Sequence, residues 1–99
     1  MLSKKQKDAI IKKYRTHEAD TGSPQVQIAL LTREVEELTK HLKGHRKDFS
    51  SRRGLIKKVS ERRRLLKYLE REDAKAFADI VADLGLKPQQ VSSKLTIAK

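Results

Sequence analysis

Five apolar residues, Ile28, Leu31, Val35, Leu38 and Leu42, recur at alternating steps of three and four. An α-helix turns once in about 3.6 residues, so this spacing lines one helix face with hydrocarbon and demands another helix to cover it. A half-buried strand would alternate at every second residue. The chain has no such β-branched run and no Asn-Gly or Asp-Gly hairpin turn. The expectation is an all-α fold, and the helix-breaking and capping residues divide it.

Ser3 suits the cap of a first helix over about Lys4–Arg15, with Ile10, Ile11 and Tyr14 on its apolar side. Thr21-Gly22-Ser23-Pro24 then punctuates the chain. Ser23 suits an N-cap, and Pro24 suits the first helical position, where a missing N–H costs nothing. The seam helix follows, with Gly44 expected as its C-cap. A polar link, His45-Arg46-Lys47-Asp48, leads to a third helix from Phe49 to about Arg71. Asp73 is expected to cap a fourth helix reaching Leu84, with Phe77, Ile80, Val81 and Leu84 facing inward and Gly85 closing it. The architecture expected is a four-helix protein: a three-helix core bundle plus an N-terminal helix able to swing. Residues 1–87 read as one domain, and the polar stretch 88–99 as a flexible C-terminal extension.

The charge is unevenly placed. The 99 residues carry 24 Lys and Arg against 13 Asp and Glu, a net charge of +11. Residues 41–72 hold +8 of it, whereas 1–40 and 73–99 hold only +2 and +1. A solubilising charge has no reason to concentrate in this way, whereas a face that meets a polyanion does. A membrane surface would require an exposed apolar face, and the apolar stripes here are needed for the core. Absence of Cys excludes disulfides and thiolate metal sites. The N-terminus lacks the apolar run of a secretory signal, and no segment approaches the ~20 apolar residues of a membrane span. The chain therefore reads as soluble and intracellular.

The third helix carries the sharpest signal. At 100° per residue from Arg53, Leu55, Val59, Leu66 and Leu69 fall at roughly 160–240°, while Arg53, Lys57, Arg64, Tyr68 and Arg71 fall at roughly 0–60°. A solvated face usually mixes signs to gain i,i+4 pairs. These four cations have no acid among them. Tyr68, opposite the core stripe, is poorly placed to pack and well placed to stack on a base or sugar.

A second cluster lies at the bend between the second and third helices: His41, His45, Asp48, Ser50 and Ser51. Three readings compete. The two histidines at i,i+4 beside a carboxylate suit zinc, although no Cys and no Glu between them support it. Asp48 or Ser50 suits the cap of the third helix. In the third reading His41, Asp48 and Ser51 meet the guanine amino group in the wide minor groove of A-form RNA. Thr21 and Gly22 have two readings as well: a turn with a cap, or a close approach to a nucleic-acid backbone at a helix N-terminus.

Together these segments resemble a known family. Asp20-Thr21-Gly22-Ser23-Pro24-Gln25-Val26-Gln27-Ile28-Ala29-Leu30-Leu31-Thr32 is similar to its D-T-G-S-x-x-x-Q-x-A-x-L-T signature. His41-Leu42-Lys43-x-His45 with Lys47-Asp48-x-x-Ser51-Arg52-Arg53-Gly54-Leu55 resembles a second signature, and Arg62-Arg63-Arg64-Leu65-Leu66-x-Tyr68-Leu69 with Leu84-Gly85-Leu86 a third. The family is the bacterial-type small-subunit ribosomal protein fifteen, and the resemblance covers about residues 3–87. It implies a cytoplasmic, non-enzymatic protein of the small ribosomal subunit that binds the central domain of its ribosomal RNA early in assembly. It implies a three-way RNA junction met by Thr21, Gly22, Gln27, Arg64, Tyr68 and Arg71, and a G·U/G·C minor-groove element met by His41, Asp48 and Ser51. Large-subunit RNA at an intersubunit bridge and neighbouring small-subunit proteins are the further partners implied, with no metal, cofactor, membrane or small-molecule substrate.

The chain departs from that pattern in three places. Phe49-Ser50 stands where many members have His-His, Phe77 stands where a Tyr is common, and the chain runs about twelve residues past Lys87. Two rivals remain on residues alone. A helix-turn-helix DNA-binding protein would need a short recognition helix after a tight turn, whereas the basic helix is long and its bend polar. A protein-interaction module built on the Ile28–Leu42 seam would leave the basic face unexplained. No nucleophile–base pair or phosphate-binding glycine loop supports catalysis.

Overall fold

A computed structural model describes residues 2–16 and 22–86. Four helices occupy them: α1 (Lys4–Tyr14), α2 (Pro24–Gly44), α3 (Phe49–Glu72) and α4 (Ala74–Leu84). No strand occurs among the described residues. Thr21 and the stretch 88–99 lie outside them.

Each helix begins where a side chain can satisfy the orphan N–H groups of a first turn. The Ser3 hydroxyl accepts from Gln6 N, and the Gln6 side chain returns the bond to Ser3 N, a reciprocal capping box. Ser23 caps α2 with Pro24 in its first turn, Asp48 caps α3 through Ser51 N at 3.1 Å, and Asp73 caps α4 through Ala76 N at 3.1 Å. At the other end of α4, Gly85 adopts φ 64°, and its N–H and that of Leu86 close on the carbonyls of Ala82 and Val81. Gly44 differs from expectation. It is the last helical residue of α2, and the C-cap is His45 at φ −138°, so the turn makes no use of glycine's left-handed freedom.

The core is built on an α2–α3 hairpin. Ile28, Leu31 and Leu38 of α2 and Leu66 and Leu69 of α3 are buried, and Val35, Leu42, Leu55 and Val59 complete the two stripes half-buried. Ile80 joins Ile28, Leu66 and Leu69, with Phe77, Val81 and Leu84 packed around them. Fully removing a Leu or Ile side chain from water is worth about 1.5–3 kcal/mol, so these residues fix the bundle.

Helix α1 is attached differently. None of its residues is buried, and Ile10, Ile11 and Tyr14 are only partly covered. Leu2, just before it, is buried, and the Tyr14 hydroxyl donates to the Asp83 carboxylate of α4. Lys13 Nζ approaches the same carboxylate at 3.9 Å. Burial, then the hydrogen bond and the charge of Asp83, push the Tyr14 phenol up to about 12.

One core position overturns the pattern read from hydrophobicity. Arg62 sits on the buried stripe of α3 between Val59 and Leu66, 3% exposed, its Nη1 donating to Thr32 Oγ1 at 3.3 Å. Thr32, itself buried, donates to the Ile28 carbonyl at 2.8 Å.

Candidate nucleic-acid interface

Arg53, Lys57, Arg64 and Arg71 share one face of α3, and Gln27 of α2 adds to it. Gln27, Arg64 and Tyr68 line one shallow cleft between the two helices, together with Glu61 and Leu65. Gln27 is held in place: its Nε2 donates to the Gly22 carbonyl at 2.6 Å, so the turn before α2 orients the amide. Tyr68 is 45% exposed, and the Arg71 guanidinium lies 5.7 Å from its ring centre. That arrangement supports the ring from one side by a cation–π contact and leaves it accessible to a flat partner. Arg71 also pairs with Glu72 at 3.5 Å on the surface. Farther toward the N-terminus of α3, Arg53 Nη2 donates to Ser50 Oγ at 3.4 Å, and Lys57 is exposed.

Glu61 was not anticipated. It stands at roughly 80° on the same wheel, just beyond the basic stripe, and enters the cleft from its edge. Its presence makes the cleft less purely cationic than the stripe alone suggests. A carboxylate repels phosphate and accepts hydrogen bonds from N–H and O–H donors.

The bend brings His41, Asp48 and Ser51 together. Asp48 Oδ1 accepts from Ser51 N at 3.1 Å, and Oδ2 accepts from Ser51 Oγ at 2.7 Å and His41 Nε2 at 2.9 Å. These bonds, the Ser51 hydroxyl first and His41 next, hold the carboxyl well below its usual range, and it stays ionised. Capping is therefore an observed role of Asp48. No group of three or more metal-ligating side chains forms among the described residues.

The hydrogen bonds also assign the imidazole protons. An ionised carboxylate only accepts, so His41 carries its hydrogen on Nε2. His45 Nδ1 lies 3.1 Å from the His41 carbonyl, which also only accepts, so His45 carries its hydrogen on Nδ1. The rings stack with centroids 4.3 Å apart and planes 7° from parallel. In the neutral state this leaves two acceptors, His41 Nδ1 and His45 Nε2, on an exposed bend. His45, expected in the cluster from its i,i+4 relation to His41, is held there by this bond and the stacked rings. Phe49, next to the cap, is 59% exposed with the Arg52 guanidinium 5.8 Å from its ring centre.

No helix among the described residues is long and apolar enough to cross a membrane. The profile of the family described as Ribosomal protein S15 matches residues 7–87. The small ribosomal subunit protein uS15 of Carboxydothermus hydrogenoformans is 57% identical over 86 residues, covering 87% of this chain and 97% of that protein. The proteins of the same description from Staphylococcus carnosus and Limosilactobacillus reuteri are each 51% identical over the same shares.

Proposed function

Because the chain belongs to the ribosomal protein S15 family, a structural component of the small ribosomal subunit rather than an enzyme, we propose that its two surface clusters dock two elements of small-subunit RNA. The reading places the protein on the ribosome, in the cytoplasm of a bacterial cell. The observation that carries it is the convergence of Gln27, Arg64 and Tyr68 from two helices in one cleft with an accessible ring.

In this proposal the cleft holds a three-way junction of the central domain. Arg53, Lys57, Arg64 and Arg71 neutralise phosphates along α3, Tyr68 stacks on an unpaired base or sugar, and Gln27 hydrogen-bonds an edge. Gly22, whose carbonyl accepts from Gln27 Nε2, precedes the Ser23 cap of α2, and Thr21 and Gly22 take a junction backbone at that helix N-terminus. The bend reads a G·U/G·C minor groove. There the guanine amino group donates, and His41, Ser51 and the remaining acceptor capacity of Asp48 receive it. Asp48 positions the other two as well as touching RNA. The bound protein stabilises the folded junction over its open alternatives, which promotes subunit assembly. Contact with large-subunit RNA at a bridge and with neighbouring small-subunit proteins belongs to the same proposal.

The deciding measurement titrates the protein with central-domain junction RNA, a duplex DNA of equal length and an unrelated RNA at several salt concentrations. The expected result is a strong preference for the junction and an affinity that falls steeply with salt. Equal affinity for all three ligands would sink the specific reading. Lys57→Ala should weaken all RNAs alike, whereas Tyr68→Ala should cost about 1–3 kcal/mol of junction binding, the usual value of one base–aromatic stack.

A further inference from the structure

Three large hydrophobic side chains are exposed among the described residues: Tyr68, proposed to stack on RNA, and Phe49 and Ile56, which point elsewhere. Phe49 is 59% exposed and Ile56 61%. One apolar residue alone on a surface is ordinary and implies no partner. These two stand seven residues apart on α3, two turns along one line of the helix and about 10.5 Å apart at 1.5 Å per residue. On the wheel counted from Arg53 they fall at roughly 320° and 300°. Ser51 of the bend falls at roughly 160° and Tyr68 at roughly 60°, so the pair faces neither RNA cluster.

Cations rim the pair. Arg52, Arg63 and Lys67 fall at roughly 260–320° on the same wheel, and all three are exposed. No carboxylate shares this face between Phe49 and Lys67, because the acid of that segment, Glu61, lies at roughly 80°. Arg52 is held in place: its Nη2 donates to the Arg46 carbonyl at 2.8 Å, and its guanidinium lies 5.8 Å from the Phe49 ring centre. That cation–π contact steadies the ring while more than half of the residue stays in water.

We propose that this stripe of α3 docks an acidic amphipathic segment of another protein, whose apolar residues cover Phe49 and Ile56 while its carboxylates meet Arg52, Arg63 and Lys67. Two anchors two turns apart match the i,i+7 spacing by which an amphipathic helix lies along an apolar line. The rim selects the charge of the occupant. A second copy of this chain, with its net charge of +11, is repelled, whereas a carboxylate-rich segment is attracted. Nucleic acid suits the rim and not the centre, since Ile56 has no π-face to stack on a base and no donor for a phosphate. The docking rests on neither the junction nor the minor-groove assignment.

The test uses the full chain with nitrogen-15 labelling and three probes at constant ionic strength. They are a helical peptide with Leu along one face and Glu on the others, a scrambled peptide of the same composition, and a single-stranded uridine hexamer. The amphipathic peptide should shift the backbone amides of residues 49–60 saturably, and the scrambled peptide should bind far more weakly. Phe49→Ser and Ile56→Ser, both changes at exposed positions, should each weaken peptide binding roughly ten-fold, corresponding to about 1.4 kcal/mol. Far-UV circular dichroism and junction-RNA affinity should stay unchanged in Ile56→Ser, and Tyr68→Ala should leave peptide binding intact. Peptide binding without any preference for the junction RNA would sink the RNA reading alone. Equal affinity for the two peptides reduces the stripe to a generic cationic surface and overturns the proposal. So does the absence of a saturable shift, or peptide binding indifferent to both serine changes. A hexamer that shifts the same amides, and ceases to do so in Ile56→Ser, assigns the stripe to nucleic acid and overturns it as well.

Discussion

Asp48 shows how one side chain caps a helix and also holds two neighbours proposed to meet RNA. Its carboxylate accepts from the orphan N–H of Ser51 in the first turn of α3 and hydrogen-bonds the Ser51 hydroxyl and His41 Nε2. Since its folded pKa is depressed, the stabilisation it provides is fully present above its unfolded value of about 4 and is lost as pH falls through the lower folded value. Asp48→Asn should therefore lower the thermal midpoint at pH 7 and flatten the acid limb of the stability profile between about pH 4 and 2, as read by circular dichroism. The same variant should reduce discrimination for RNA carrying the G·U/G·C minor-groove element through displaced His41. Intact discrimination would leave Asp48 with the capping role alone. The capping residues were legible in the sequence, because a cap needs only an Asp or Ser three residues before the amide it accepts from. The pairing with His41 was not, since it crosses the bend between two helices.

Among the elements, α1 and α4 make contrasting cases. The end of α4 depends on Gly85 at φ 64°, where a Cβ would meet no neighbouring atom within 4 Å. Gly85→Ala should thus cost only the backbone penalty, about 1–2 kcal/mol, measured by urea denaturation. The sequence announced this stop through Gly after an apolar run. Gly44 looked similar and proved to be ordinary helix, because a glycine permits a left-handed turn without requiring one. Helix α1 has no fully buried residue and is held by half-buried Ile10, Ile11 and Tyr14 and by the Tyr14–Asp83 bond. The raised Tyr14 pKa means that this contribution is complete below the unfolded value near 10 and disappears as pH climbs through about 12. Tyr14→Phe should increase hydrogen exchange in α1 while leaving α2 and α3 protected, because the core cluster does not depend on that hydroxyl. Equal protection of α1 in both proteins would show that the bond contributes nothing to docking.

At the scale of the whole molecule, the positive charge tolerated by the fold is divided between exposed and buried sites. The exposed part includes Arg53, Lys57, Arg64 and Arg71 along α3, the cations proposed to give RNA binding its salt dependence. The core beneath it is small, so single truncations matter: Leu66→Ala, at a fully buried position, should destabilise the protein by about 2–5 kcal/mol in denaturant titration. Such a loss is a large fraction of the stability of a domain this size. By itself the sequence determined the four helices, their N-caps, the apolar stripes and the basic face, all of which depend on neighbours within a few turns along one helix. Only the tertiary structure decided that Arg62 lies inside the stripe, that Glu61 enters the cleft with Gln27 and Tyr68, that His41 reaches Asp48, and that Tyr14 ties α1 to α4. Periodicity places a residue on a face of its own helix. Which groups that face meets depends on how the helices pack, and burial, pairing and proton position follow from that packing.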